Sequence, residues 1–81
     1  MEFPIYASTP DQMTLYAIDG PRRLRELKRL GNPDSSNRFI PHVLEADDFA
    51  NGLYIKDIIQ GVEEGRFVLI PAESFEVFWT Y

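Results

Sequence analysis

The residue types that could do acid–base or metal chemistry are concentrated in one short stretch, HVLEADD, at residues 42–48. His42 is the only histidine, and a histidine in such a setting could act as a general base or a metal ligand. On a strand, however, His42 and Glu45 point to opposite faces and cannot share a ligand sphere. An oxygen-only Mg²⁺ or Ca²⁺ site at Asp47 and Asp48 is the remaining metal hypothesis, but their spacing does not match a calcium loop. We therefore expect no metal, and a partly buried or surface His42 with a backbone partner.

Other catalytic arrangements are not indicated by the residue spacing. The serines lie in segments of turn composition, and none occupies a G-x-S-x-G nucleophile elbow. The five glycines fall at turns and helix ends rather than in a phosphate-binding loop. Glu63 and Glu64 are adjacent acids on the solvated side of an expected helix. We therefore expect a protein that is not an enzyme and that uses no cofactor.

The stretch GPRRLRELKRLG, residues 20–31, holds five of the eight Lys and Arg residues of the chain. Asp19 is a suitable N-cap, Pro21 suits a first helical turn, and Gly31 suits a helix end. These signals predict a basic helix over residues 21–30. At 100° per residue, its leucines form a buried stripe and its arginines lie opposite, with Leu24, Leu27 and Leu30 on one side and Arg22, Arg25 and Arg29 on the other.

Three functions for the stripe Arg22, Arg25 and Arg29 compete with a simple solvated face. Contact with nucleic acid would be weak and salt-sensitive, since the chain carries a net charge of -5. A small anion could bind where Arg22 begins the helix. We favour recognition of a protein, because the charge is unevenly distributed. Residues 1–44 hold six cations and five acids, whereas residues 45–81 hold two cations and eight acids. Such a dipolar surface could orient a charged partner or a second copy.

The remaining elements follow from apolar patterning and turn signals. Two strands at 2–8 and 12–18 carry apolar residues on both faces, so both faces should be covered or one used for association. The stretch 38–45 contains Pro41 and predicts an edge or bulged strand. The periodicity of 53–65 predicts a helix with Ile55, Ile58, Ile59 and Val62 against the sheet. The continuous apolar run 66–71 predicts a strand buried on both faces.

The last seven residues, FEVFWTY, form a second candidate interaction site. Four aromatic rings and two β-branched residues favour a strand over 75–81, although a terminal helix starting near Pro71 is the competing interpretation. As a strand, the segment would leave Phe78 outside the core and would form a sheet edge. Trp79 and Tyr81 belong to the residue types that dominate interface hot spots. We therefore expect Phe78, Trp79 and Tyr81 to contribute to association.

Together these elements predict one α+β domain over residues 1–81, in the order β-β-α-β-α-β-β. The expected architecture has two layers: a mostly antiparallel sheet of about five strands with two helices on one face. The chain lacks cysteine, a signal-peptide pattern and any apolar run near ~20 residues, so we expect a cytoplasmic protein without membrane contact. We expect it to act through protein–protein contact, as a homodimer, adaptor, inhibitor or immunity-type partner. The alternative is a module that binds a small anion or nucleic acid through residues 21–30.

Overall fold

The computed structural model describes residues 2–35 and 37–79, which form one antiparallel sheet and two helices. The strands are β1 (Ile5–Ser8), β2 (Thr14–Gly20), β3 (Arg23–Leu30), β4 (Arg38–Glu45) and β5 (Val68–Leu69). The helices are α1 (Phe49–Glu63) and α2 (Glu73–Glu76). The strand order across the sheet is β4-β3-β2-β1-β5, and every pair is antiparallel. β4, the strand that contains Pro41, lies at an edge as predicted.

Each face of the sheet packs against one helix. On the α1 face, Ile18 of β2 and its cross-strand partner Leu24 form a core with Ile55 and Ile58. On the α2 face, Leu15 and its partner Leu27 pack with Phe75 of α2. The prediction that both faces of the first strands are covered is therefore confirmed. Fully burying a side chain of this size stabilises the fold by about 1.5–3 kcal/mol.

The helix α1 follows the predicted apolar pattern. Ile55 and Ile58 are buried, and Ile59 and Val62 pack against the same cluster. The helix begins earlier than the pattern indicates, because the Asp48 side chain accepts a hydrogen bond from the Asn51 backbone N–H at 2.8 Å and caps it. After the helix, Gly65 has a φ of 76°, a left-handed conformation that glycine tolerates.

The predicted basic helix over residues 21–30 is wrong, because this segment is the strand β3. Gly20 and Arg23 are cross-strand partners, so Pro21 and Arg22 form a two-residue hairpin loop. The fixed φ of Pro21 suits the second position of a tight turn as well as it suits a helix. A register shift between Ile18 and Gly20 adds Asp19 as an extra residue in β2, as in a β-bulge. Pro21 therefore begins a hairpin loop and not the first turn of a helix.

The predicted C-terminal strand over 75–81 is also wrong as far as the structure describes it, and residues 80 and 81 lie outside the described part. A short helical turn starts after Pro71, as the competing interpretation requires: the Ser74 N–H donates to the Pro71 carbonyl at 3.0 Å. Burial of the Phe75 ring in the core outweighs the β propensity of the segment. The run 66–71 contributes only the two-residue edge strand β5. Val68 and Leu69 are exposed there rather than buried on both faces.

The α+β class, the antiparallel five-stranded sheet and the two helices are confirmed. The element order is β-β-β-β-α-β-α rather than β-β-α-β-α-β-β. The two helices lie on opposite faces of the sheet, so their predicted placement on one face is wrong. Neither helix among the described residues is long and apolar enough to cross a membrane.

Candidate functional site

The arginines expected to form one exposed stripe have three different environments. Arg22 lies in the β2–β3 loop, where its Nη2 donates to the Ala46 carbonyl at 2.6 Å. Arg25 and Arg29 alternate with Leu27 on the α2 face of β3. The side chain of Arg25 is only 12 % exposed, so an exposed stripe of three arginines does not exist. A strand places residues on one face at every second position, whereas a helix would have combined positions 22, 25 and 29.

Arg25 forms two bidentate ion pairs, one within the sheet with Asp19 of β2 and one with Glu76 of α2. Its Nε and Nη2 donate to the two Asp19 carboxylate oxygens at 2.8 and 3.0 Å. Its Nη1 and Nη2 donate to the two Glu76 oxygens at 2.8 and 2.7 Å. The guanidinium carbon also lies 5.3 Å from the Phe75 ring centroid and 5.2 Å from that of Trp79, within the range of cation–π attraction. Arg25 is therefore part of the structural framework.

These hydrogen bonds shift the pKa values of Glu76, Arg25 and Tyr6, each in the direction that preserves the hydrogen bonds. The hydrogen bonds from Arg25, and then the one from the Tyr6 hydroxyl at 2.7 Å, lower the pKa of Glu76 to about 2. The hydrogen bonds to Glu76 raise the pKa of Arg25. The hydrogen bond to Glu76, followed by burial, also raises the pKa of Tyr6. Arg25 and Glu76 thus stay ionised near neutral pH, and Tyr6 stays protonated.

The α1 face carries a buried carboxylate. Glu26 is 2 % exposed, and the Tyr54 hydroxyl donates to its Oε2 at 2.6 Å. Burial, followed by the hydrogen bond to Glu26, raises the pKa of Tyr54, and burial raises that of Tyr16. His42 is the cross-strand partner of Glu26, but its side chain is 63 % exposed and its Nδ1 is 3.9 Å from Glu26 Oε1. His42 thus lies at the surface, as expected from the sequence.

The acids expected near His42 do not gather around it. Glu45 lies on the other face of β4, where its Oε1 accepts a hydrogen bond from Arg23 at 3.0 Å. Asp48 caps α1. Within the ranges 2–35 and 37–79 there is no group of three or more His, Cys, Asp or Glu side chains that could hold a metal ion.

The α1 face is covered by α1 at one end and left open at the other. The open end consists of two cross-strand pairs, Lys28 with Ile40 and Leu30 with Arg38. Leu30 and Ile40 are 42 % and 52 % exposed. We call these four residues the basic–apolar patch. Leu30 was expected in a buried stripe, and that expectation is wrong. Ile40 was not identified from the sequence, because its exposure depends on where α1 ends.

A second exposed apolar surface lies on the outward side of α1. Phe49 and Leu53, one helical turn apart, are 81 % and 52 % exposed. The exposed acids Asp47 and Asp48 immediately precede Phe49, and Asp57 lies one turn beyond Leu53. We call these five residues the acidic–apolar helix face. The spacing of Phe49 and Leu53 was the available sequence signal, but the expected helix started only at residue 53.

The C-terminal aromatic residues lie on the α2 face. Phe78 packs against Phe39 with ring centroids 4.9 Å apart, and Trp79 stacks on Phe75 at 5.7 Å. Both side chains are half-buried, so they belong largely to the core of this face. Tyr81, the third expected interaction residue, lies outside the described residues.

Comparison with known proteins finds no protein similar to this chain. No protein-family model matches the chain, and no curated protein or solved structure is detectably similar to it. Any functional argument therefore depends on the surfaces described above.

Proposed function

We propose that this is a non-catalytic cytoplasmic protein that works by protein–protein contact, and that its partner is a second copy of the same chain. The observation behind the proposal is the pair of complementary surfaces on one side of the sheet. The basic–apolar patch exposes Leu30 and Ile40, and the acidic–apolar helix face exposes Phe49 and Leu53. Large apolar side chains clustered on a surface are typical of interaction sites.

The positions of the two surfaces suit a two-fold dimer. Both lie on the α1 side of the sheet, with the patch beside the region that α1 covers. A two-fold axis could place α1 of each copy over the open end of the other sheet. The outward side of α1 would then pack against the partner's patch, and the same contact would occur twice, as an isologous interface requires. The two helices would form a layer between two sheets.

Charge complementarity supports this partner. The patch contributes Lys28 and Arg38, although Lys28 Nζ also lies 3.8 Å from the buried Glu26. The helix face contributes the carboxylates of Asp47, Asp48 and Asp57. Opposite charges around an apolar centre orient the two copies and speed their encounter, while the apolar area provides the affinity.

Analytical ultracentrifugation over a range of protein concentrations tests the proposal. We expect a species of about 19 kDa, twice the 9.4 kDa of the chain, whose dissociation constant rises with added salt. Ile40→Glu should weaken association by about a hundredfold or more, as expected for a hot-spot residue. Val77→Glu is the matched control, because Val77, the C-cap residue of α2, is 69 % exposed and lies outside both surfaces. This control should leave the dimer intact.

Charge reversal tests the pairing of the two surfaces. Lys28→Glu with Arg38→Glu should weaken the dimer, and Asp47→Lys with Asp57→Lys should do the same. Mixing the two double variants should give a heterodimer in which both contacts are complementary, because the reversed patch faces the reversed helix face and the two unchanged surfaces face each other. A chain that stays monomeric at every concentration overturns the proposal. So does a dimer that Val77→Glu disrupts and Ile40→Glu does not.

The alternative function, anion or nucleic-acid binding by a basic helix at 21–30, loses its structural basis because that helix does not form. Arg25 forms ion pairs with Asp19 and Glu76 and is therefore not available to bind the phosphates of a nucleic acid. Arg29 lines a cavity on the face of the sheet opposite the proposed dimer contact.

A further inference from the structure

The α2 face contains a cavity of about 340 Å³. Its floor is a row of direct cross-strand neighbours on three strands: Leu15 on β2, Ser8 on β1 and Val68 on β5. Its volume falls within the range of sites that hold small molecules. One wall is the β1–β2 turn, with Thr9, Pro10 and Gln12. The other wall is α2 with the residues on either side of it, and it contributes Ile70, Ser74 and Phe78.

Arg29 stands at one end of this cavity and is fixed in position. Its Nε donates to the Gln12 carbonyl at 2.9 Å and its Nη1 to Asn37 Oδ1 at 3.3 Å, and its guanidinium carbon lies 4.5 Å from the centroid of the Phe39 ring. Gln12 has a φ of 63°, a left-handed conformation that is costly for a residue other than glycine. This turn places the Gln12 carbonyl where it holds the guanidinium beside the cavity. A cation held in this way loses little side-chain entropy when an anion binds.

A hydroxyl group on the opposite wall complements the cation. Among the described residues, the Ser74 hydroxyl makes no hydrogen bond, so it can donate to a ligand. The other hydroxyls that line the cavity are engaged: Ser8 Oγ donates to the Thr9 carbonyl at 2.7 Å, and Thr9 Oγ1 donates to Asp11 Oδ1 at 2.6 Å. The site thus offers one fixed cation and one available donor above an apolar floor.

We infer that this cavity binds a small amphipathic monocarboxylate. The carboxylate would lie between Arg29 and Ser74, and the apolar part would contact Leu15, Val68 and Phe78. The Asp11 carboxylate near the cavity rim and the net charge of -5 disfavour a doubly charged phosphate. The site is separate from the proposed dimer contact, which uses the other face of the sheet.

Titration of the ¹⁵N-labelled protein with 3-phenylpropionate, followed by ¹H–¹⁵N correlation spectra at constant ionic strength, tests the inference. We expect saturable shifts at the amides of residues around the cavity, with Ser8, Gln12, Val68 and Ser74 among them. The uncharged 3-phenylpropionamide is the control ligand and should bind about tenfold more weakly or worse, because it cannot form a charge-assisted pair with Arg29. Equal binding of acid and amide would refute the role of the cation.

Variants locate the site. Arg29→Gln should lower the affinity for 3-phenylpropionate about tenfold, and Ser74→Ala should lower it severalfold. Arg23→Gln is the matched control, since it makes the same change on the same face of β3, outside the cavity and outside both surfaces of the proposed dimer contact. It should leave the affinity unchanged. Should Arg29→Gln fail to fold, the amide comparison and Ser74→Ala decide the question. Shifts that do not saturate at about 10 mM ligand, or that are centred on residues of the α1 face, overturn the inference.

Discussion

Arg25 and Glu76, 51 positions apart in the chain, form a bidentate ion pair that joins α2 to β3. The pair is asymmetric, because the Arg25 side chain is largely buried while that of Glu76 is 40 % exposed. Asp19 completes the coordination of the guanidinium from the β2–β3 hairpin. Three separate parts of the chain therefore depend on a single arginine.

Replacement of Arg25 should destabilise the protein far more than replacement of its neighbour. Arg25→Gln removes two bidentate pairs and leaves partly buried carboxylates without their cation, so we expect a loss of about 2–4 kcal/mol in the free energy of unfolding. Arg23→Gln is the control. Arg23 also pairs with Asp19, but its side chain is 47 % exposed, and we expect a change below about 1 kcal/mol. Urea unfolding of both variants measures the difference. Equal losses would contradict a structural role for Arg25.

The same ion pair predicts how stability depends on pH. The folded-state pKa of Glu76 is about 2, below its ordinary value of 4.5. Its contribution is therefore fully present above about pH 4.5 and is lost as the pH falls towards about 2. Because the side chain is 40 % exposed, solvent screening reduces this contribution to about 1–2 kcal/mol.

Glu76→Gln isolates that contribution. The variant should be less stable than the parent at pH 7, and the gap between the two should narrow as the pH falls from about 4.5 to about 2. Urea unfolding across this range measures the gap. A gap that stays constant would show that the Glu76 carboxylate does not titrate at a lowered pKa.

An element could be predicted from the sequence where the residues that determine it are close together in the chain, and not where they are far apart. The helix α1 was predictable because its apolar residues repeat locally and meet one sheet. The strand β3 was not, because Leu24, Leu27 and Leu30 also fit a helical stripe. The available turn signal was the Gly20–Pro21 pair, since Gly20 is the last paired residue of β2 and Pro21 begins the two-residue loop.

The candidate site depended on contacts that local patterning does not specify. The charge of Arg25 is neutralised by Asp19 and Glu76, which lie on either side of it in the chain, 6 and 51 positions away. The exposure of Leu30 and Ile40 follows from where α1 crosses the sheet. The sequence shows that basic residues are concentrated at 20–31. Only the strand register shows that Arg22, Arg25 and Arg29 lie in separate environments.

The buried Glu26 carboxylate should depend strongly on its tyrosine donor. Tyr54→Phe removes the hydrogen bond to Oε2 and leaves a carboxylate that is 2 % exposed without it, so we expect a loss of about 1–3 kcal/mol. Tyr6→Phe makes the same chemical change next to Glu76. That carboxylate is more exposed and is held by Arg25, so this loss should be below about 1 kcal/mol. Thermal unfolding should show the larger shift for Tyr54→Phe. The reverse order would contradict the buried network.

Two glycines in α1 should respond to alanine with opposite signs. Gly61 is buried against Phe67, and a Cβ added there would collide with the ring. That ring packs edge-on against Tyr16 with centroids 5.4 Å apart, so it cannot move without disturbing the core. Overpacking of this kind costs about 1–3 kcal/mol, more than the gain of about 1 kcal/mol from the higher helix propensity of alanine. Gly61→Ala should therefore destabilise the protein.

Gly52→Ala provides the matched control within the same helix. A Cβ at Gly52 would meet only the Ala46 Cβ, at 3.8 Å, which is an ordinary contact. The propensity gain should then remain, and we expect stabilisation by about 0.5–1 kcal/mol. Chemical denaturation of both variants measures the two changes. If both stabilise the protein, the close approach of Phe67 to α1 is wrong; if both destabilise it, backbone flexibility within α1, rather than packing against Phe67, determines the effect.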